Sequence, residues 1–414
     1  MNFPAWRDWL FSAKAFLASM LALFVGLSLD LPRPYWAMAA VYIVANPLAG
    51  ATSSKGLYRA LGTIIGASAA VFFVPLLVDA PELLCLAVAL WTGTLLFISM
   101  LDRTPRSYVF MLAGYTLPMI ALPSVGSPET VFDTALARSE EIIIGIVSAS
   151  IVSAVVFPNS VGTALGPRVA SWLDDAGSWG HEILLGEGAS PSTPLNRQKL
   201  AADIAGLDPI ISQLGYDSGT RDIARHAREL RGRLLMLLPL FSSLADRLHA
   251  MKNRGEALPM DVLAEVAEWL GQGGASKADG RAERLVRHIA ALEGQSSPGD
   301  WHELVRTSAL SRLREIVDLW HDCLTLRDQI ERGRHSGPWA PAFRHRRVVG
   351  RSRHFDYPLL AFQAGSVVVG TIVACAIWIA TGWQSGAGFV TMAAVACSFF
   401  ASADRQVLTV KDIC

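Results

Sequence analysis

The chain has 414 residues, of which 52% are hydrophobic and only 17% are charged, and its mean hydropathy is +0.36. Charged residues make up about a quarter of an ordinary soluble domain, so this composition excludes an ordinary soluble globular protein. The 36 basic and 36 acidic side chains cancel, which argues against nucleic acid as the main partner, because a phosphate-binding surface needs a basic excess.

The charged residues are distributed unevenly along the chain. Residues 159–352 carry 49 of the 72 charged side chains, so both flanking segments are strongly apolar. We therefore predict an N-terminal transmembrane domain over 1–158, a polar domain over 159–352, and the start of a second transmembrane repeat over 353–414. The five cysteines form no C-x-x-C pair, so neither a disulfide framework nor a zinc site is expected.

The apolar segments contain eight windows long enough to cross a membrane. A crossing helix needs about 20 mostly apolar residues, and backbone groups in lipid must be satisfied within the helix. Six windows precede the polar domain and two follow it. The predicted spans are 12–30, 35–51, 58–78, 83–101, 107–125, 139–157, 358–380 and 385–402.

Lys and Arg in the short connections predict the orientation, because they are enriched on the cytoplasmic side. They cluster at the N-terminal end and in the second and fourth connections, at Arg7, Lys14, Lys55, Arg59, Arg103 and Arg106. This pattern predicts a cytoplasmic N-terminus and a cytoplasmic polar domain. A basic stretch before the seventh span fits the same side, as an anchor or as a site for anionic lipid. It comprises Arg332, Arg334, Arg344, Arg346, Arg347, Arg351 and Arg353.

The polar domain is predicted to be helical. Apolar residues recur at helical spacing over 220–250 and 301–331, and Gly/Ser/Pro-rich stretches at 186–194, 271–280 and 294–299 separate the helices. The predicted fold is therefore all-α: a polytopic helical membrane protein with six N-terminal spans, an inserted cytoplasmic helical domain, and two further spans.

The first two and the last two spans share a layout, which predicts an internal repeat. Each pair turns at a tryptophan, Trp36 in the first pair and Trp383 in the second, and repeated halves are a common plan in transporters. An equivalent second half would have six spans, and the chain contains two. The second repeat is therefore incomplete, either by truncation of the gene product or as a native half-repeat.

Several sequence stretches occur in an order and spacing that together are specific. They are Pro34-Tyr35-Trp36-Ala37; Arg59-Ala60-Leu61-Gly62-Thr63 with Gly66; Arg138-Ser139-Glu140-Glu141-Ile142 with Gly145 and Pro158; and His354-Phe355-Asp356-Tyr357-Pro358, followed by Thr381-Gly382-Trp383 and Phe399-Phe400-Ala401. With these stretches the chain resembles the fusaric acid resistance family, inner-membrane components of aromatic carboxylic acid efflux pumps.

The resemblance implies a proton-driven exporter of aromatic acids and related toxic small molecules in a bacterial inner membrane. It also implies a periplasmic adaptor protein and an outer-membrane channel as partners, and we expect a homo-oligomer. Members of the family continue with further spans after the point at which this chain ends.

Arg138 and Glu141 are the first candidates for function, because they lie three residues apart and would share one helix face at the mouth of the sixth span. A partly desolvated carboxylate there could exchange a proton while Arg138 holds a substrate carboxylate. Glu140 is a second candidate for proton coupling. The alternative is a salt bridge at the membrane interface that anchors the helix end.

The third span provides further candidates. Lys55 and Arg59 could draw an anion towards the pathway, or Arg59 could anchor the helix on the cytoplasmic side. Gly62 and Gly66 repeat every four residues, which predicts close packing against a neighbouring helix, and Gly145 is assigned the same role in the sixth span.

Trp36 and Tyr35 are predicted near the outer interface, where aromatic side chains commonly anchor helices. An aromatic substrate could also stack on them.

The sequence contains no Gly-rich phosphate loop, nucleophile elbow or zinc-binding signature, so we predict no enzymatic activity, metal or cofactor. Transport would then draw on an ion gradient or on diffusion. The leading hypothesis is a proton-driven exporter of aromatic acids. The alternatives are a passive organic-anion channel, similar to plant malate channels, and a non-transporting membrane anchor whose cytoplasmic domain binds a partner.

Overall fold

The computed structural model describes residues 6–102, 104–157, 161–185, 193–214, 216, 221–273, 280–294, 300–332, 339–344 and 355–411. Within these ranges the chain forms α-helices, one short 3-10 helix and connections, without a β-strand, which confirms the all-α prediction. The chain divides into two compact units: Met1–Ser160 with Arg353–Cys414, and Val161–Ser352.

The first unit contains eight α-helices in its described residues. They are α1 (Trp6–Ser28), α2 (Tyr35–Val44), α3 (Ala49–Leu77), α4 (Pro81–Leu101), α5 (Ser107–Ala121), α6 (Val131–Val155), α13 (Tyr357–Thr381) and α14 (Gly386–Lys411). A 3-10 turn, Pro128–Thr130, leads into α6. Helix α3 packs against α5 and α6, α2 and α1 pack against α6, and α13 packs against α4 and α14.

Five described helices are long and apolar enough to cross a membrane. They are Asp8–Ser28, Gly50–Leu77, Pro81–Leu101, Asp222–Lys252 and Tyr357–Thr381. Shorter apolar helices cover Tyr35–Val44, Ser107–Ala121 and Gly386–Ala401. The helix Asp222–Lys252 lies in the polar unit, where its leucines are buried against other helices of that unit.

The predicted second span is not one continuous helix. Helix α2 ends at Val44, residues 45–48 are non-helical, and α3 begins at Ala49. Pro47 explains the break, because proline lacks an N–H and its ring disfavours helical backbone at Asn46. At 10 residues, α2 is about 15 Å long, half the thickness of the hydrocarbon core.

Three other span boundaries differ from the prediction by more than two helical turns. Helix α3 begins nine residues before the predicted start at 58, and α6 begins at Val131 rather than at 139. Helix α14 continues from the predicted end at 402 to Lys411. A hydropathy window leaves out polar helical turns. The predicted span is therefore too short where the end of a helix carries charged or hydroxyl side chains.

The first unit has an apolar exterior, as a bilayer-embedded surface requires. Large hydrophobic side chains are exposed along its helices, including Phe72, Leu76, Val155, Phe362 and Phe400. Small residues dominate the contact of α1, α2 and α6, where Ala18, Ala22, Ala37, Ala40 and Ala149 are buried. Small side chains let helix backbones approach closely, which provides van der Waals contact where no water is available to drive association.

The second unit is a helical bundle in its described residues. Its helices are α7 (Val161–Leu185), α8 (Thr193–Leu214), α9 (Arg221–Lys252), α10 (Met260–Gly271), α11 (Arg281–Glu293) and α12 (Trp301–Arg332). Helix α9 packs along α12, and α7 packs against α10. Trp179, Phe241, Trp269 and Trp320 are fully buried and fill the core.

A buried ion pair joins two helices of this bundle. Arg233 of α9 and Asp322 of α12 lie 3.1 Å apart, with side chains 3% and 1% exposed. Asp322 also accepts backbone N–H groups of Ala342 and Phe343, and Arg233 lies 4.5 Å from the ring centre of Trp339. The pair therefore fixes residues 339–344 onto the bundle. Of the basic stretch before the seventh span, only Arg332 and Arg344 lie within the described residues.

Candidate functional site

The candidate site lies where the start of α2 meets the first half of α6. Pro34 is the N-cap residue of α2, so Trp36 lies in the first turn of α2. Asp133 lies in the first turn of α6, where its negative charge complements the positive end of the α6 helix dipole. Because α6 begins at Val131, Arg138 is about two turns inside the helix. The structure thus places Arg138 and Glu141 inside α6 rather than in its first turn, and their position at the mouth of the sixth span stays a prediction.

Arg138 is a buried cation that lies over an aromatic ring. Its side chain is 7% exposed, and its guanidinium carbon lies 4.1 Å from the centre of the Trp36 ring. Its Nη2 donates to the sulfur of Met119 at 3.2 Å, whereas its Nε and the Trp36 indole N–H are buried without a hydrogen-bond partner. A guanidinium in this setting retains donors that an incoming acceptor could use.

Glu141 shares the buried face of α6 with Arg138 but has a different partner. Its Oε1 accepts the backbone N–H of Arg33 at 2.8 Å, and its side chain is almost completely buried. No ion pair within 4.0 Å joins Glu141 to Arg138 among the described residues. The carboxylate thus ties the connection between α1 and α2 to α6.

Arg59 is a second buried arginine close to the first. It is 4% exposed, and its Nη1 donates to the hydroxyl of Tyr108 at 2.9 Å. Tyr115 interacts with both Tyr108 and Arg59. Because α3 begins at Ala49, Arg59 lies well inside the helix, although the predicted third span began at residue 58.

The charges around this site are mostly positive. Arg33, Arg59 and Glu141 all lie close enough for their charges to act on Arg138. Asp133 lines the same cavity from its exposed position at the start of α6. The cavity has a volume of about 130 Å³ and is also lined by Trp36, Met119, Arg138 and Glu141.

The other predicted residues lie outside this cavity. Tyr35 is 53% exposed and contacts only the edge of the site through its tilted ring pair with Trp36, 5.9 Å away. Lys55 is half-buried one turn before Arg59, and Glu140 is exposed on the side of α6 that carries Leu136 and Ile143.

The three predicted packing glycines each lie against another helix. A Cβ at Gly62 would come within 2.7 Å of the Val109 carbonyl oxygen, and one at Gly66 would meet Thr116. A Cβ at Gly145 would lie 2.4 Å from the carbonyl oxygen of Ala37 on α2. These approaches support a packing role at all three positions.

Sequence reasoning missed the contribution of α5. Tyr108, Tyr115 and Met119 project from this helix towards the two arginines. Their spacing of seven and four residues places them on one helix face, so the pattern was available in the sequence. The backbone N–H of Arg33 had no such signal, because it depends on the fold of a connection.

Comparison with known proteins gives relatives with related descriptions. The p-hydroxybenzoic acid efflux pump subunit AaeB of Musicola paradisiaca is 28% identical over 428 residues, which covers 99% of this chain and 61% of that protein. The subunit of the same name from Edwardsiella ictaluri is 36% identical over 160 residues, covering 36% of this chain and 25% of that protein.

The relatives also include a transporter whose name gives no substrate. An uncharacterized transporter, YdhK of Salmonella typhimurium, is 26% identical over 411 residues, covering 95% of this chain and 56% of that protein. The chain thus spans about three fifths of the length of the curated relatives that it matches over most of its own length. The sequence model of the fusaric acid resistance protein family matches residues 8–414. The chain therefore belongs to that family.

Proposed function

We propose that this protein exports aromatic carboxylic acids across a bacterial inner membrane. The observation that carries the proposal is the burial of Arg138 against Trp36 and a neutral sulfur atom, without an ion pair among the described residues. A buried cation without a directly paired anion is costly, so an incoming carboxylate would offset part of that cost. The p-hydroxybenzoic acid named for several relatives belongs to the same chemical class.

Two features of the site fit an aromatic carboxylate, one binding its carboxylate group and the other its ring. The guanidinium of Arg138 can bind a carboxylate through two parallel hydrogen bonds. Next to this group, the indole ring of Trp36 could stack on the ring of an aromatic substrate. The buried indole N–H of Trp36, which has no partner among the described residues, could donate a hydrogen bond to a hydroxyl of that substrate. The cavity of about 130 Å³ is small, so we infer that substrate enters when α2 and α6 move apart.

We further propose that protons drive export through Glu141. A charged carboxylate accepts the Arg33 N–H more strongly than a protonated one, so proton uptake would weaken this bond. The connection between α1 and α2 would then be free to move away from the cavity. Arg33, Arg138 and Glu140 are the charged groups acting on Glu141, and Glu140 remains a candidate for proton exchange at the exposed side of α6.

The cellular setting is proposed on the same basis. The basic connections support a cytoplasmic N-terminus and polar unit. The word "subunit" in the relatives' names describes one component of an assembly, which supports the presence of partner proteins. We propose that these partners are a periplasmic adaptor and an outer-membrane channel, and that the chain also associates with copies of itself.

Uptake of labelled p-hydroxybenzoate into inverted membrane vesicles, with and without a pH gradient, tests the proposal. We expect gradient-dependent accumulation by the wild type and at least a tenfold loss in Arg138→Gln, because the carboxylate loses its charged partner. Arg138→Lys should retain part of the activity, since it keeps the charge but not the planar donor pair. Arg254→Gln, an exposed change in the polar unit, is the matched control and should leave accumulation unchanged.

Glu141→Gln tests the proton step separately. This variant should carry p-hydroxybenzoate down its own gradient but should no longer accumulate it in response to a pH gradient. Full accumulation by Arg138→Gln would contradict the substrate site. Wild-type flux that ignores the pH gradient and follows only the substrate's electrochemical gradient would refute proton coupling and favour the passive channel.

A further inference from the structure

A second and larger cavity lies at the opposite end of the contact between α2 and α6. It has a volume of about 610 Å³ and is lined by the ends of these two helices, at Val41, Ala45, Ala149 and Val152, together with the beginning of α1. The Arg138 cavity is instead lined by their starting turns. A volume of several hundred Å³ is typical of pockets that take a small organic molecule.

The wall of this cavity includes the break between α2 and α3. Asn46 and Pro47 line the cavity, and so does Thr52 from the first turn of α3. The Asn46 N–H donates to Thr52 Oγ1 at 3.1 Å, and the Asn46 side-chain oxygen accepts the Leu48 N–H at 3.1 Å. The break is therefore a hydrogen-bonded structure, and non-helical backbone within a membrane protein is tolerated where it lines a cavity.

Lys14 contributes a cation to the described lining of this cavity. Its Nζ donates to the backbone carbonyl of Phe157 at 2.6 Å. Phe157 lies in the left-handed backbone region, at φ 42°, which is strained for a phenylalanine. An ammonium has three donors and Phe157 accepts one of them, so Lys14 is bonded to a neutral and strained partner that a carboxylate could replace.

Aromatic rings and polar groups surround the ammonium. Trp6, Phe11 and Phe157 contribute apolar walls, and Ser153 contributes a hydroxyl. Asp8 also lines the cavity, so its charge would oppose an anion bound by Lys14. Between the two cavities, α2 and α6 pack through small residues, since a Cβ at Gly145 would lie within 2.7 Å of Ala37 and Ala40.

We propose that the 610 Å³ cavity is a second binding site for an aromatic carboxylate, with Lys14 as the partner of the carboxylate group. The inference rests on the proposed export function. The substrate would occupy this site and the Arg138 site in turn, at opposite ends of a closed contact between α2 and α6. With a cytoplasmic N-terminus, the Lys14 site would be the one that receives substrate from the cytoplasm.

Amine modification with a mass-spectrometric readout tests this site directly. The purified protein in nanodiscs is treated with an acetylating reagent, with and without p-hydroxybenzoate, and the extent of modification is measured at each lysine. We expect the acid to protect Lys14 severalfold and to leave the exposed Lys252 unprotected. Acetate at the same concentration should protect Lys14 far less, because it lacks the ring.

The affinity for labelled p-hydroxybenzoate is a second readout, measured in two variants that remove charges of opposite sign. Lys14→Gln should weaken binding at this site about tenfold or more, as expected for loss of a charge-assisted bond. Asp8→Asn should strengthen binding, because it removes the opposing charge. A purely structural role of these residues would not shift the affinity in opposite directions.

The Arg138→Gln background separates this inference from the proposed function. Protection of Lys14 should persist in that variant, since the two sites lie at different ends of the helices. If Lys14 is unprotected in the wild type while transport still depends on Arg138, the second site is refuted and the export proposal stands. If protection disappears in Arg138→Gln, one site explains all binding and the inference is wrong.

Discussion

At the scale of single residues, the sequence identified the charged groups of the site but not their partners. Arg138 and Glu141 were candidates because charges are rare in apolar helices, and Trp36 was a candidate because aromatic side chains are enriched at the membrane interface. The contact of Arg138 with Trp36 joins residues about one hundred positions apart, and no local pattern specifies it. The expected pairing of Arg138 with Glu141 followed from helix spacing alone, whereas in the structure each has its own partner.

Asp318 in the polar unit provides a test of electrostatics at this scale. Burial raises the pKa of its carboxyl above the usual range, and the neighbouring charge of Asp322 raises it further. The folded protein therefore holds this proton more tightly than the unfolded chain, so ionisation of Asp318 destabilises the fold as the pH rises above about 3.9.

Asp318→Asn should accordingly raise the midpoint of thermal unfolding at neutral pH. The gain should shrink as the pH falls towards the ordinary pKa range of a carboxyl group, because protonation of Asp318 removes the buried charge. Far-UV circular dichroism of the purified protein at several pH values measures the difference. An equal gain at all pH values would show that the effect comes from packing and not from charge.

At the scale of elements, hydropathy predicted where helices occur but not where they begin or break. The first turns of α3 are helical but polar, so a hydropathy window leaves them out of the predicted span. These turns contain Thr52, Ser53, Ser54 and Lys55. The break after α2 follows from Pro47, yet an apolar window does not register it. Packing of helices through Gly62, Gly66 and Gly145 was predictable, because small residues at regular spacing are typical of close helix contacts.

Gly145 tests the contact between α2 and α6. Gly145→Ala should destabilise the protein by about 1–3 kcal/mol, because the new methyl group would meet the backbone of Ala37. Gly365→Ala in α13 is the matched control, since its added methyl group would have no atom within 4 Å and alanine favours a helix. Thermal unfolding in detergent compares the two, and equal stability of both variants would contradict the observed contact.

Thr52 tests the break between α2 and α3. Thr52→Val keeps the shape but removes the hydroxyl, which leaves the Asn46 N–H without its acceptor and should cost about 1–3 kcal/mol. Thr52→Ser retains the hydroxyl and should be close to the wild type. Unfolding midpoints of the two variants distinguish loss of a hydrogen bond from loss of a methyl group.

At the scale of the whole molecule, the uneven distribution of charge predicted two kinds of structure in one chain. The described residues form a unit with an apolar exterior and a helical bundle with a core of tryptophan and phenylalanine. The predicted internal repeat stays a prediction, because α2 and α14 differ in length and the shared tryptophans lie at different points of their turns. Trp36 lies within α2, whereas Trp383 precedes α14.

Cysteine labelling tests the predicted orientation. In a protein whose five native cysteines are replaced, a membrane-impermeant maleimide should label Ser127→Cys from outside the intact inner membrane and should not label Asn253→Cys. Both positions are exposed, the first in the connection before α6 and the second in the polar unit, so access depends on the side of the membrane. Labelling at position 253 from outside would reverse the proposed topology.

The hydroxyl of Thr52 has a mechanical consequence for α2. Its oxygen accepts the Asn46 N–H and lies 3.2 and 3.3 Å from the carbonyl oxygens of Asn46 and Leu48, so one atom joins three backbone groups of the break. The half-length helix α2 is therefore tied at its C-terminal end to the first turn of α3 through this one hydroxyl.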